Sequence, residues 1–245
     1  MNMKRMAGMV LLAGAVIAAG TVFAADGSWM DWLKGKAGVT TSTPAPTVGE
    51  APAAPTNAMA MMGNALDIQP NDRVQGSMTA PVTMIEYASL TCPHCADFNV
   101  ETMPKVKKDW IATGKLKYIM RDLAWDNLAV GMAKIARCAP PTQFDPIVTS
   151  FFANQKDIML ASDPLVQIKK LMVPFGMDSA KVDACVKDAA LHKQVEDSKT
   201  IAMDGLGVRG TPAMFINGSK IDGAVDYDEL KKTLDAAYAK ATAAK

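Results

Sequence analysis

A β-rich run, Val82-Thr83-Met84-Ile85-Glu86-Tyr87-Ala88, ends three residues before Cys92-Pro93-His94-Cys95, and a helical rhythm starts directly behind it. That junction restricts the fold more than any other stretch of the chain. Two thiols one helical turn apart serve few chemistries: a small redox disulfide, half of a zinc site, or haem attachment when a histidine follows. Ala96 follows Cys95, which rules out haem. A tetrahedral zinc site asks for a second close pair, and the other two cysteines, Cys138 and Cys185, lie far apart in sequence. The pair therefore reads as a redox centre at a strand-to-helix turn.

The surrounding pattern predicts an α/β domain. Phe98, Met103, Val106, Trp110 and Ile111 share one helical face, while Lys105, Lys107 and Lys108 point outward. Gly114 stops that helix, and residues 116–120 read as the next strand, completing a β-α-β unit. Helical rhythm fills residues 126–206, with Asp163-Pro164 and Asp178-Ser179 as helix starts. β character returns at Ala213-Met214-Phe215-Ile216, and Asn217-Gly218 signals a hairpin into a short strand near Ile221. Asp226 starts a closing helix with Leu230, Leu234 and Tyr238 on its inner face. An α/β domain over 66–125 and 207–245, interrupted by an all-helical insertion over 126–206, is the expected architecture.

The N-terminal part reads differently. Lys4 and Arg5 precede an apolar run over 6–19, and Val22-Phe23-Ala24 fits a small-x-small cleavage site, so residues 1–24 are expected to be an export signal cut after Ala24. Left uncut, about 20 apolar residues would span a bilayer and tether the protein. No cysteine follows the signal, which argues against lipoprotein anchoring. Residues 25–65 form a Pro/Ala-rich flexible linker, in which Trp29, Met30, Trp32 and Leu33 make a short apolar cluster suited to a remnant beside the signal or to self-association. Beyond residue 24 the chain carries 24 basic and 25 acidic residues. That balance excludes nucleic acid as a partner and gives no attraction to an anionic membrane surface.

A cysteine reacts as its thiolate. At the N-terminus of a helix, Cys92 meets unpaired backbone N–H groups and the positive end of the macrodipole. His94 adds a further positive contribution, and Pro93 sits where a helix tolerates proline. A stabilised Cys92 thiolate is a good leaving group and a poor reductant, with Cys95 as its more buried partner. That predicts a Cys92–Cys95 disulfide that oxidises other thiols, against the blander alternative of an inert bridge holding a turn.

Residues 86–95, Glu-Tyr-Ala-Ser-Leu-Thr-Cys-Pro-His-Cys, resemble the active-site strand and turn of the DsbA-like thiol:disulfide oxidoreductases. Gly210-Thr211-Pro212 and the following Ala213-Met214-Phe215-Ile216-Asn217-Gly218 resemble that family's cis-proline loop and next strand. The resemblance covers about residues 66–243. It implies a thioredoxin-like fold with a helical insertion, and a cis Pro212 beside the Cys92–Cys95 pair. It also implies substrate binding at Gly210, Thr211 and Pro212, with Thr211 offering backbone hydrogen bonds to an extended chain. Glu86 matches a buried acid that helps to move protons; the alternative is a salt-bridged strand residue. One departure stands out. The most oxidising members commonly carry Val before the cis-proline, and Thr211 there also occurs among disulfide isomerases.

With Cys92 and Cys95 closed by proximity, the remaining pairing is a structural Cys138–Cys185 disulfide, the alternative being two buried free thiols. Two histidines and no carboxylate cluster in a ligand rhythm leave no dedicated metal site, and no cofactor is called for. The expected function is a bacterial periplasmic enzyme that introduces disulfides into reduced exported proteins. The resemblance implies recharging by a membrane quinone-linked DsbB-like partner. Two other readings stay open: an oligomeric disulfide isomerase or reductase, and a copper-binding or redox-sensing module, since soft thiolates select Cu(I).

Overall fold

The computed structural model describes residues 65–243 apart from residue 224, so the expected signal and all of the linker but Ala65 lie outside the described residues. Five strands make one mixed sheet: β1 (Val74–Gln75), β2 (Val82–Ala88), β3 (Leu116–Asp122), β4 (Ala213–Ile216) and β5 (Ser219–Asp222). Their order is β1-β3-β2-β4-β5, with β2 and β3 parallel and every other pairing antiparallel. The near-continuous apolar run of β2 suits a central strand covered on both faces, and every residue from Met84 to Ala88 is buried. Glu86 lies opposite Met120 on one side and Met214 on the other.

Helical segments cover the sheet and fill the insertion. α1 spans 93–111 in alternating α and π pitch, a departure from the regular helix that its periodicity predicts; Pro104, inside it, lacks an N–H for the ladder. α2 (Asn127–Cys138), α3 (Phe144–Ala153), α4 (Gln155–Leu160), α5 (Pro164–Met172), α6 (Ser179–Lys187) and α7 (Ala189–Thr200) follow between β3 and β4. α8 (Tyr227–Ala243) closes the chain. Aspartates start five of these helices. The carboxylates of Asp126, Asp163, Asp178, Asp188 and Asp226 accept first-turn N–H groups at 2.8–3.2 Å, each cap stabilising its helix by about 1 kcal/mol.

The two faces of the sheet bury different sets. On one, Ile85, Tyr87, Ile119, Leu123, Ala213 and Phe215 pack with Ala202 and Val208, and the Tyr87 and Phe215 rings meet edge to face at 6.0 Å. Phe98, Met103, Val106 and Trp110 of α1 are buried, and Trp110 packs edge-on against Tyr238 of α8. Lys107 is only half-exposed, because its ammonium pairs with Asp145 at 2.7 Å. In the hairpin between β4 and β5, Asn217 and Gly218 both have positive φ (46° and 84°), as a two-residue turn matching strand twist requires.

Two buried ion pairs tie β3 to its surroundings. Arg121 pairs with Asp72 at 2.8 Å and also donates to the Ala65 carbonyl; Arg137 of α2 pairs with Asp122. Ala65 is itself buried, so the packed part of the chain includes that last linker residue. Cys138 and Cys185 are joined as a disulfide with Cα atoms 5.8 Å apart, linking α2 to α6. Among the described residues, no helix is long and apolar enough to cross a membrane.

Candidate active site

Cys92 is the residue at which the chain turns from sheet to helix. Its backbone is extended (φ −83°, ψ 119°), Pro93 takes the first helical position, and its carbonyl accepts the N–H groups of Cys95 and Ala96 at 3.1 Å each. A proline there removes only an N–H that the helix would leave unpaired. The Cys92 side chain is half-buried beyond the helix start, while Cys95, one turn on, has no exposed surface. Both are free thiols. Pro93 and His94 are exposed beside them.

A second segment, distant in sequence, completes the site. β4 pairs with β2, which carries the preceding residues Gly210, Thr211 and Pro212 to the start of α1. The Thr211–Pro212 peptide bond is cis. The Cys92 thiol donates to the Thr211 carbonyl at 3.3 Å. Gly210 is exposed, with open space where a Cβ would stand.

The local electrostatics separate the two thiols. A hydrogen bond from the Cys95 thiol, and further ones from the Thr211 side chain and the backbone N–H groups of Cys95 and His94, bring Cys92 down to about 5 against the opposing effect of burial. Hydrogen bonding to Cys92, burial and the Glu86 charge push Cys95 far above the usual thiol range. The contribution of His94 to Cys92 comes from its main chain. Glu86, 1% exposed, lies below the pair; burial raises it to about 7 even though the Tyr118 hydroxyl donates to it. Its Oε1 has no hydrogen-bond partner. The salt-bridged alternative for Glu86 is therefore corrected: a tyrosine hydroxyl, and no cation, holds this carboxyl.

Several residues that no sequence pattern singles out also hold the site. Gln155, buried at the start of α4, donates to the carbonyls of Leu90 (2.9 Å) and Cys92 (3.1 Å), so the helical insertion grips the redox turn. Thr91 donates its hydroxyl to Asp126 at 2.6 Å, and Trp125 donates its indole N–H to the Thr211 hydroxyl oxygen at 3.1 Å. An amide or a threonine carries no positional signature in sequence, so these contacts became visible only in three dimensions. Beside Pro93 and Ala96, a groove of about 500 Å³ is lined by Val100, Phe152, Met159 and Leu160; Leu160 is 75% exposed. Among the described residues no group of three or more His, Cys, Asp or Glu side chains is clustered to hold a metal ion.

A thiol of lowered pKa at a helix start, a buried second thiol one turn on, and a cis-proline preceded by the threonine whose carbonyl Cys92 contacts define a DsbA-like site on a thioredoxin fold. The thioredoxin family model matches residues 69–236, and the chain belongs to that family. Alpha-DsbA1 of Wolbachia pipientis is 26% identical and superposes with a TM-score of 0.70, over 74% of this chain and 98% of that one. Disulfide bond formation protein D of Bacillus subtilis is 26% identical over 177 residues, 66% of this chain and 75% of that protein. A protein-disulfide oxidoreductase of Rickettsia prowazekii is 25% identical over 174 residues, 69% of this chain. The chain spans 62% of the length of that relative.

Proposed function

We propose that the protein is a thiol:disulfide oxidoreductase that introduces disulfides into exported polypeptides. The observation that carries this reading is the opposed character of the two thiols, with Cys92 at about 5 and Cys95 far above the ordinary range. A substrate thiolate attacks the Cys92 sulfur of the Cys92–Cys95 disulfide. The S–S bond breaks, and its electron pair leaves on Cys95, which takes up a proton. The substrate's second thiolate then attacks the substrate sulfur of the mixed disulfide. Cys92 leaves as a stabilised thiolate, the substrate departs oxidised, and the enzyme holds the two electrons.

The supporting residues have distinct parts in this scheme. Glu86, poised near neutrality beneath the pair, supplies the proton that Cys95 needs. Thr211 and Pro212 present main chain to an extended substrate, and Gly210 leaves room for it. The apolar groove beside Pro93 offers a surface for unfolded, hydrophobic segments, as exposed patches at binding sites do. Pro93 fixes the helix start, and His94 stands exposed where an approaching substrate would pass.

Export by an N-terminal signal ending at Ala24, and work in the bacterial periplasm, belong to the same proposal. Lys4, Arg5 and the apolar run behind them support it. So does the Cys138–Cys185 disulfide, since such bonds persist in oxidising compartments. A membrane quinone-linked DsbB-like protein would reoxidise Cys92 and Cys95. The folded unit is taken as 66–125 with 207–245, carrying 126–206 as the insertion.

Thr211 before the cis-proline favours a second reading, disulfide isomerisation. Refolding of ribonuclease separates the two. Faster recovery from fully reduced substrate supports the oxidase, and faster recovery from scrambled substrate alone supports the isomerase. Cys92→Ser abolishes either activity; turnover surviving in that variant refutes the mechanism.

A further inference from the structure

The described residues include one exposed aromatic side chain, Trp125, and it stands beside the redox site. Solitary exposed apolar residues are ordinary on a protein surface, but this one is fastened. Its indole Nε1 donates to the Thr211 Oγ1 at 3.1 Å. The next residue, Asp126, accepts the Thr91 hydroxyl at 2.6 Å and the Ala129 N–H at 2.8 Å, so main chain and ring are both held. The Cys92 thiol in turn donates to the Thr211 carbonyl at 3.3 Å. These contacts and the width of one threonine put the indole nitrogen within about 11 Å of the Cys92 sulfur.

We propose that Trp125 is a specificity-determining residue, whose indole covers an apolar side chain of the substrate two positions from the attacking cysteine. The ring's one donor is spent on Thr211, so what it still offers a substrate is apolar surface. A substrate laid extended along Thr211 turns side chains to one face about every 6.8 Å. Its cysteine meets Cys92, and the residue two away on the same face comes within reach of the indole. A tryptophan already held in place gives contact area while ordering little on binding, as anchors of protein interfaces do. The groove lined by Val100, Phe152, Met159 and Leu160 includes neither Trp125 nor Thr211, so Trp125 is a separate contact. Trp125 is 40% exposed, which for so large a ring leaves roughly 100 Å² open. Covering about half of that area corresponds to about three- to tenfold in rate.

This inference rests on the thiol-oxidising reading of Cys92 and Cys95. Its test is reduction of the pre-oxidised full-length protein by two dithiol peptides. They are alike except that the residues two positions from each cysteine are leucine in one and alanine in the other. Each peptide closes its own disulfide as its two electrons pass to the Cys92–Cys95 pair. Stopped-flow second-order rate constants are compared as a ratio, leucine over alanine. The parent is expected to favour the leucine peptide by about three- to tenfold. Trp125→Phe, which keeps a ring, should hold most of that preference, and Trp125→Ala should bring the ratio below about two. Any loosening of the Thr211 loop slows both peptides alike and cancels in the ratio. A parent that takes both peptides equally fast overturns the inference without recourse to a variant. So does a preference that survives Trp125→Ala, which would belong to the apolar groove. Failure of the oxidised parent to react with either peptide would refute the redox reading instead, so the two failures are distinct.

Discussion

The Cys92 thiolate should make the stability of the reduced protein depend on pH in a way that the oxidised protein does not share. A cysteine ordinarily near 9 lies at about 5 in this fold. A group lowered on folding stabilises the native state fully above its unfolded value, and that stabilisation drains away as pH falls through the folded one. At pH 7 the distance down to 5 corresponds to about 2.7 kcal/mol, at about 1.36 kcal/mol per pH unit. The sulfur is only half-buried, and solvent screening reduces the figure to about 1 kcal/mol. Guanidinium unfolding of reduced and oxidised protein at pH 7 and pH 4 reads it directly. Loop closure by the disulfide is independent of pH, and so drops out of the change in the difference between the two forms. The reduced protein is expected to lose about 1 kcal/mol more than the oxidised protein between pH 7 and pH 4. Its thiolate absorbance near 240 nm should fall with a midpoint near 5. A midpoint at the ordinary thiol value, with a reduced–oxidised difference that is flat between the two pH values, refutes the reasoning.

Replacing Cys138 and Cys185 together by serine removes a crosslink with a sequence separation of 47, and chain entropy then puts the loss at about 4 kcal/mol; chemical denaturation of the oxidised variant measures it. Gln155→Ala leaves the Leu90 and Cys92 carbonyls without their side-chain donor, with an expected cost of about 1–3 kcal/mol and slower exchange with model thiols. Glu86 has the opposite sign to Cys92. Because its folded value of about 7 exceeds its unfolded value, stability falls as pH rises from about 4.5 to 7, so Glu86→Gln should stabilise at pH 8 by about 3 kcal/mol and hardly at all at pH 4. The same variant should slow mixed-disulfide formation, because Cys95 loses its nearby proton source; rapid-quench trapping reports that rate.

The strands and the redox turn were legible because their signals are local. Alternating or continuous apolar runs mark β2, β3 and β4, Asn217-Gly218 marks the hairpin, and aspartates at 163 and 178 mark helix starts through a chemistry that depends only on neighbours in sequence. β1, two residues long, carries too little periodicity to be read. The alternating pitch of α1 is hidden by an apolar face that an ordinary helix would share. Residues that join distant segments were the least visible. Gln155 donates across 63 and 65 positions, and Trp125 across 86, so nothing near either residue in sequence announces its partner. Glu86 was legible as buried, but not the Tyr118 hydroxyl that holds it, because that contact depends on the parallel register of β2 and β3.

Redox equilibration of the full-length protein with glutathione, giving the reduction potential of the Cys92–Cys95 pair, tests the central claim most directly. A strongly stabilised Cys92 thiolate predicts an oxidising potential, above about −180 mV. A potential near about −270 mV, where thiol reductants lie, would contradict the account.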